Sequence, residues 1–341
     1  MIIKLIIYFF LIFFISKYFN NKQILSNFSG DKHQIFSNDK NIPLIGGFLL
    51  LYPLLFLIRD YNLLFVFCLL IFSVGLLSDL KILNSPKAKI LIQVVLILLF
   101  VILSEIKINS SRLDFFDLLL ENIYFTFFFS SFCILILING SNFIDGLNGL
   151  LLGYTLLVVY FLNDQALLPQ IGFKEEDILF LFFALIVLLI FNFNNKIMLG
   201  DSGAYYVGLF LGYTLIESHN QNILISPYFF IVLIWYPCFE NLFSIIRKFF
   251  IKKSPANPDK FHLHHLLFLS IKKRLKLNKI SSNNISSVLI NLVNLFIFFI
   301  ASYDPYNTKF QIFIIMFSMI IYILSYLFLF KNSKSSLRLC K

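Results

Sequence analysis

Long apolar runs fill most of the chain and alternate with short polar stretches. A helix needs ~20 mostly apolar residues to cross a bilayer, and ~17 is tolerable. Eleven segments come close to that length: 2–19, 43–58, 62–78, 89–104, 116–138, 147–163, 178–193, 202–217, 226–247, 284–302 and 309–330. Because an open strand edge cannot be satisfied in lipid, we predict that all are helices. The pattern predicts an all-α, polytopic membrane protein with about 11 transmembrane helices.

The first two segments differ from the others. Segment 2–19 has one Lys near its start, Lys4, and no small-residue cleavage site behind it, so it is predicted to be a retained helix and not a removed signal peptide. Segment 43–58 is short and contains two prolines and two glycines, which makes it the least regular of the eleven.

Composition supports the membrane assignment. Of the 341 residues, 59% are hydrophobic and 13% charged, and the mean hydropathy of +0.85 exceeds what a soluble core requires. The four cysteines have no spacing that suggests a disulfide framework or a zinc site. No internal repeat or linker divides the chain, so residues 1–341 are treated as a single membrane-embedded domain.

The basic residues predict an orientation. With the N-terminus outside and the C-terminus cytoplasmic, 22 of the 28 basic residues fall in inner loops and the tail, whereas 11 of the 18 acidic residues fall outside. The net charge of +10 therefore indicates topology and not nucleic-acid binding. Successive spans alternate in direction, and in this orientation every polar cluster falls on the cytoplasmic face. The clusters are those near 31–47, 78–89, 139–148, 192–203 and 248–265.

One polar stretch, NGSNFIDGLNGLL (139–151), lies between apolar runs. Asn139, Asn142 and Asp145 are three positions apart, so on a helix they drift slowly around one face. Gly146 and Gly149 permit close approach of a backbone or a ligand. An ionisable residue in or beside a membrane span is costly and by default indicates function.

Two further stretches carry carboxylates. GLLSDLKILNSPKAKILIQ (75–93) contains Asp79 and Lys89, and on its own it resembles an ordinary charged loop. FNFNNKIMLGDSGAYYVG (191–208) contains Asn192 and, where an apolar helix begins, Asp201. Asp201 followed by Ser and Gly suits a helix N-cap, and it also suits a ligand of a divalent cation at the membrane surface. The two roles are compatible.

Three of the five histidines, His262, His264 and His265, occupy four positions in a basic loop. A zinc site is one interpretation, but no matching Cys or fourth His is near. Imidazoles among lysines suit phosphate oxygens better, and a polybasic inner loop also suits anionic lipid. Together, these carboxylates, amides, lysines and histidines are the inventory for Mg²⁺-assisted phosphoryl transfer.

Five motifs in this order resemble the polyprenyl-phosphate N-acetylhexosamine-1-phosphate transferase family, of the glycosyltransferase family 4 type: PLIGG (43–47), SDL with SPKAK (78–89), NFIDGLNGL (142–150), GDSGAYYVG (200–208) and HLHH (262–265). HLHH is similar to the form in the branch that acts on sugars without a peptide. The resemblance implies transfer of an N-acetylhexosamine 1-phosphate from a UDP-sugar such as UDP-GlcNAc to undecaprenyl phosphate, with release of UMP. This would be the first membrane step of cell-surface polysaccharide synthesis at the bacterial inner membrane.

The resemblance also implies roles for the residues. Asp201 would ligate Mg²⁺, for which Mn²⁺ is a possible substitute, and Asp79 would be a second ligand that positions or activates the lipid phosphate. Asp145 would be the third catalytic carboxylate. The remaining residues would bind substrate: Asn139, Asn142, Asn148, Asn192, Lys89, His262, His264 and His265. The partners implied are the UDP-sugar, the polyprenyl phosphate and the bilayer, with a homodimer possible and no nucleic acid.

The chain departs from the family pattern at three positions. Ser78 precedes Asp79 where the family commonly has a second Asp, so the residue often proposed as general base is missing. Asn148 stands where Asp is common, and Glu240 stands where Asp is frequent. A phosphate monoester has a second pKa of about 6, so a lipid phosphate is mostly dianionic at neutral pH and needs no strong base.

Two other interpretations stay open at this point. Intramembrane Asp and Asn residues also mark ion pathways, as in a transporter or channel. Against this, the polar residues gather on one face and no inverted repeat is visible. The second alternative, an inactive family member acting as a scaffold, is motivated by Ser78 alone.

Overall fold

The structure is a computed structural model that describes residues 2–22, 24–25, 42–250, 252 and 261–337, with side chains described as far as 332. The predicted polar clusters near 31–47 and 248–265 therefore lie partly outside the described residues. Within the described ranges the chain is predominantly helical and has no β-strand. The all-α prediction is confirmed.

Fourteen helices occur in the part of the chain that the structure describes. They are α1 (Ile2–Lys22), α2 (Gly46–Leu57), α3 (Asn62–Asp79), α4 (Pro86–Ser104), α5 (Asp114–Leu120), α6 (Ile123–Ile144), α7 (Leu150–Asp164), α8 (Leu167–Gln170), α9 (Glu175–Phe193), α10 (Gly200–Gln221), α11 (Pro227–Phe250), α12 (Leu263–Leu275), α13 (Lys279–Ala301) and α14 (Thr308–Leu337).

Ten of the eleven predicted segments each coincide with one of these helices, and segment 116–138 covers parts of α5 and α6. Among the described residues, eight helices are long and apolar enough to cross a membrane: α1, α3, α4, α6, α9, α11, α13 and α14. The apolar helices α2 and α7 are shorter, and α10 completes the eleven. The protein is a multi-pass helical membrane protein, while the number of crossings and the orientation stay predictions.

The predicted segment 116–138 has the wrong limits. The chain forms the short helix α5 and breaks before α6, because the side chain of Asn122 accepts hydrogen bonds from the amides of Tyr124 and Phe125 and starts a new helix there. Helix α6 then continues to Ile144. Asn139 and Asn142 consequently lie on its last turns and not in a break after it.

Helix α10 occupies the centre and contacts α2, α3, α6, α8 and α11. Glycines permit this close packing. A Cβ on Gly47 of α2 would lie 2.9 Å from Gly203 Cα, and a Cβ on Gly75 of α3 would lie 2.6 Å from the Asp201 carbonyl oxygen. Small residues of this kind let membrane helices approach closely. The N-terminus of α10 is thereby held between α2 and α3.

One end of the bundle collects the polar motifs. Helices α3, α6, α9 and α11 end there, and α4, α7, α10, α12 and α13 begin there. The PLIGG motif joins this end through backbone hydrogen bonds, since Met198 N–H donates to Pro43 and the Gly46 and Gly47 amides donate to Met198 and Leu199. In the described residues these clusters lie at one end of the bundle, and that this end faces the cytoplasm stays a prediction.

Candidate functional site

Asp79 caps the central helix. Its carboxylate oxygens accept hydrogen bonds from the backbone amides of Asp201 at 2.9 Å and Ser202 at 3.0 Å, in the first turn of α10. Gly200 has a φ of +78°, and a Cβ there would lie 2.8 Å from Asp79 Oδ2, so this position requires glycine. The N-cap interpretation of Asp201 was therefore wrong, because Asp79 from α3 performs the capping.

The Asp201 side chain is left for other contacts. Its Oδ2 atom accepts a hydrogen bond from the Ser78 hydroxyl and lies 3.4 Å from Lys89 Nζ and 3.3 Å from the Tyr205 hydroxyl. The side chain is 28% exposed, and that of Lys89 is 22% exposed. Asp201 is thus an accessible carboxylate with a cation beside it, at the N-terminus of a buried helix.

Two further residues at this place were missed by sequence reasoning. Tyr205 lies one turn after Asp201 on α10, and Gln93 lies one turn after Lys89 on α4. Gln93 is buried, and its Oε1 atom accepts a hydrogen bond from Asn139 Nδ2 at 3.3 Å. Helical spacing of four from a charged site residue is the signal that would have found both.

Asp145 is close enough to the other two carboxylates to interact with them. It follows the last residue of α6 and is partly buried. Burial, and then the charges of Asp201 and Asp79, raise its pKa well above the usual value of an aspartate. The structure therefore brings the three predicted catalytic carboxylates together. Asn142, one turn before Asp145, is half-buried on the same part of α6.

The histidines contact the loop after α6. A Cβ on Gly146 would lie 2.8 Å from His264 Nε2 and 2.9 Å from His265 Nε2. His264 is fully buried, and neither ring nitrogen has a hydrogen-bond partner among the described residues. Burial lowers the pKa of His264 to about 3, despite the opposing charge of Glu240, so its imidazole is neutral. His264 in this state is a dipole and not a cation.

His262 has a different environment. Its Nδ1 atom lies 2.9 Å from the carboxylate of Glu240, which is buried within α11. The Phe143 ring, from the end of α6, lies 5.3 Å away between ring centroids. The structure therefore joins the HLHH motif to the carboxylate end of α6 through both Phe143 and Gly146.

Asn148 and Asn192 lie in a buried amide network. Asn148 Nδ2 donates to Asn195 Oδ1 at 2.6 Å, and its backbone N–H donates to Asn283 Oδ1 at 2.7 Å. Asn192 accepts a hydrogen bond from the amide of Gly149 and donates to a backbone carbonyl at 2.8 Å. No hydrogen bond joins Asn148 or Asn192 to the three carboxylates in the part of the chain that is described. Their predicted contact with substrate stays a prediction.

The donor set fits Mg²⁺ better than zinc. Among the described residues no group of three or more His, Cys, Asp or Glu side chains is arranged to hold a metal. Mg²⁺ usually takes only one or two protein carboxylates and completes its shell with phosphates and water. Asp201 suits that role, whereas both oxygens of Asp79 are engaged by backbone amides. Asp79 is consequently the weaker of the two predicted ligands.

Fold and site together define a multi-pass helical membrane protein with a carboxylate, lysine and histidine site at one end of the bundle. The sequence model of glycosyl transferase family 4 matches residues 61–219 of the chain. The matched segment runs from the start of α3 almost to the end of α10 and includes Asp79, Asp145 and Asp201. The HLHH motif and Glu240 lie beyond it.

Three curated relatives have names that agree with this match. The chain is 27% identical, over 70% of its length and 72% of the relative's, to the undecaprenyl-phosphate alpha-N-acetylglucosaminyl 1-phosphate transferase of Thermotoga maritima. It is 31% identical to the probable undecaprenyl-phosphate N-acetylglucosaminyl 1-phosphate transferase of Bacillus subtilis, over 58% of this chain and 55% of that protein. It is 32% identical to the decaprenyl-phosphate N-acetylglucosaminephosphotransferase of Mycolicibacterium smegmatis, over 38% and 37%. The chain thus spans less than two thirds of the last two relatives.

Proposed function

We propose that this protein is an enzyme that transfers a sugar 1-phosphate to a polyprenyl phosphate in the membrane. The donor is a UDP-N-acetylhexosamine such as UDP-GlcNAc, the acceptor is undecaprenyl phosphate, and the products are the lipid-linked sugar diphosphate and UMP. The observation that carries the proposal is the surroundings of Asp201. A partly exposed carboxylate, with Lys89 and Ser78 beside it, lies at the membrane-helix end that also holds Asp145 and the histidines.

The reaction needs little covalent chemistry from the protein. An oxygen of the lipid phosphate attacks the phosphorus that carries the sugar, a new P–O bond forms, and the bond to the bridging oxygen of UMP breaks. With a second pKa of about 6, the attacking phosphate is already mostly dianionic at neutral pH. Catalysis then depends on positioning and on neutralising charge. Ser78 in place of a second acid is compatible with this, because it serves as a hydrogen-bond donor to Asp201.

The residues divide this work by their chemistry. Mg²⁺, when bound at Asp201, would neutralise charge on the diphosphate and orient it. Lys89 would contact a phosphate oxygen, since its ammonium already lies at this carboxylate. Asp79 holds the first turn of α10 so that the Asp201 side chain keeps its place. Asp145, Asn139 and Asn142, from the end of α6, would line the donor-sugar side together with the histidines.

Sidedness and location complete the proposal. The charge asymmetry of the loops supports an active site that faces the cytoplasm, where nucleotide sugars are made, and a location in the bacterial inner membrane. The product would start a cell-surface polysaccharide. A homodimer stays a prediction.

The test is a transfer assay with the purified full chain, undecaprenyl phosphate, Mg²⁺ and radiolabelled UDP-sugars. Wild type should form a labelled lipid, and Asp201→Asn should lower turnover by at least about 100-fold, the scale on which lost electrostatic stabilisation is felt. Asp60→Asn is the matched control, because Asp60 is an exposed carboxylate in the loop before α3, paired with Lys174. Folded wild type that makes no lipid product from any UDP-sugar would refute the proposal. Near-normal turnover of Asp201→Asn would show that Asp201 is not a ligand of the metal.

A further inference from the structure

A buried carboxylate outside the family-matched segment remains to be explained. Glu240 lies within α11 and is 1% exposed. Its Oε1 atom accepts hydrogen bonds from His262 Nδ1 at 2.9 Å and from the Leu263 amide at 3.3 Å, and its Oε2 atom accepts one from the Tyr322 hydroxyl at 2.8 Å. A carboxylate removed from water is costly unless such donors compensate for the lost hydration. Three donors from α12 and α14 therefore converge on one side chain of α11.

This contact fixes the chemistry of His262. An ionised carboxylate can only accept hydrogen bonds, so Nδ1 of the imidazole carries the proton. The other nitrogen, Nε2, is then the one that can bond a ligand, as a lone pair or as an N–H according to protonation. The ring plane is fixed as well, because Phe143 and His264 lie 5.3 and 5.4 Å from it between centroids.

The last described helix supports the same carboxylate. Tyr322 on α14 is 1% exposed, and its ring packs against Phe239 and Phe243 of α11 at 5.0 and 5.3 Å between centroids. The Tyr322 hydroxyl therefore bonds Glu240 from a rigid aromatic setting. Tyr326, one turn further along α14, packs on Phe243 at 4.8 Å and carries an identical hydroxyl, which makes it a matched control.

We propose that Glu240 is a positioning residue, held by Tyr322, that orients His262 so that Nε2 is presented to the phosphate or sugar of the bound nucleotide-sugar. The inference rests on the proposed transferase function. The helices after the family-matched segment then orient this histidine. Helix α11 supplies the carboxylate, the start of α12 supplies the imidazole, and α14 supplies the supporting hydroxyl.

The test is the transfer assay with full-chain variants. Glu240→Gln keeps the shape and removes the charge, and it should lower kcat/KM roughly 10–100-fold, by analogy with the loss of a carboxylate that orients a metal-ligating histidine. Glu240→Asp keeps the charge, so it should lower kcat/KM less than Glu240→Gln does. Tyr322→Phe should lose about threefold to tenfold, because one hydrogen bond to a charged group disappears. Tyr326→Phe should stay within about twofold of wild type.

A double-mutant cycle separates positioning from general stability. If Glu240 acts through His262, Glu240→Gln should cause no further loss of kcat/KM in a His262→Gln background. Thermal unfolding of every variant shows whether it is folded. Additive losses in the double variant, or equal losses for Tyr322→Phe and Tyr326→Phe, would overturn the proposal.

A second measurement does not depend on turnover. In full-chain protein labelled with ¹⁵N-histidine, His262 should show the Nδ1–H tautomer, with its signals assigned by their absence in His262→Gln. Glu240→Leu offers no acceptor, so that tautomer should no longer dominate. An unchanged tautomer would refute the role of Glu240. The two proposals can also fail separately. If the wild type makes no lipid product, but the Nδ1–H tautomer is lost in Glu240→Leu, only the transferase function is refuted.

Discussion

Replacing Asp79 with Asn removes one of the two acceptors that hold the first amides of α10. The introduced carboxamide would keep a single oxygen and would turn its NH₂ group toward a backbone N–H. Either Asp201 N–H or Ser202 N–H then loses its partner, at 2.9 or 3.0 Å in the wild type. The negative charge at the helix N-terminus disappears as well.

The expected magnitude follows from these three losses. A hydrogen bond to a charged group contributes about 1.5–3 kcal/mol, and an unsatisfied buried donor costs about 1–3 kcal/mol. Allowing for overlap and a helix-terminus contribution of about 0.3–1 kcal/mol, Asp79→Asn should destabilise the protein by about 3–5 kcal/mol. At about 2.1 cal/mol/K per residue over 341 residues, this is a fall in Tm of roughly 4–7 °C.

Thermal unfolding in detergent with EDTA measures this effect without metal. Asp201→Asn is the comparison, and it should leave Tm unchanged or raise it, because it removes a charge that acts on Asp79 and Asp145. Adding Mg²⁺ should then stabilise the wild type and Asp79→Asn, but not Asp201→Asn. If Asp201→Asn were the more destabilising variant in EDTA, the assignment of Asp79 as cap and Asp201 as ligand would be reversed.

Three further predictions concern the surroundings of these carboxylates. Ser78→Asp puts a second negative charge beside Asp201, and the repulsion is about 4 kcal/mol at about 4 Å and an effective dielectric of about 20. The Tm of this variant should therefore depend more strongly on Mg²⁺ than that of the wild type. A large rate gain in the transfer assay would show that the wild type lacks a base. The raised pKa of Asp145 means that the folded state retains a proton that the unfolded chain loses above about pH 3.8, so the stability from this group is full below that pH and falls as pH rises. Asp145→Asn should therefore be more stable than wild type at neutral pH in EDTA and lose that advantage in acid, and an advantage that is independent of pH would contradict the mechanism. Gly146→Ala places a methyl group 2.8 Å from His264 Nε2, so it should cost about 1–3 kcal/mol of stability and raise KM for the UDP-sugar. An unchanged KM would show that this loop does not contact the UDP-sugar.

The helices could be predicted from the sequence because their cause is local. A run of apolar residues long enough for a bilayer forms a helix wherever it occurs, and ten of the eleven predicted segments each coincide with a helix. The gathering of Asp79, Asp145 and Asp201 was also predictable, since counting spans puts all three at one end. The break before α6 was missed because Asn122 looks like any polar residue until its capping bonds are seen.

Partners that are distant in the sequence could not be predicted in this way. Asp201 has the local signature of an N-cap, yet the cap comes from Asp79, 122 positions away. Asn148 has the same polar-in-apolar signature as Asn139, but its partners are Asn195 and Asn283, on elements that no local pattern connects. A single sequence reveals where polar groups interrupt apolar runs, and it does not reveal which of them satisfy one another.

Asp79 and Glu240 make the same kind of contact with a neighbouring helix. Each is a carboxylate that accepts hydrogen bonds from the first turn of a neighbouring helix, the amides of Asp201 and Ser202 in one case and Leu263 in the other. In both cases the positive end of the helix is neutralised from outside, so the side chains on that first turn do not have to cap it. Asp201 at the start of α10, and His262 at the start of α12, thereby keep a side-chain atom for the contacts proposed above. A site organised in this way before substrate binds loses little free energy to reorganisation during the reaction, which is what phosphoryl transfer by positioning and charge neutralisation requires.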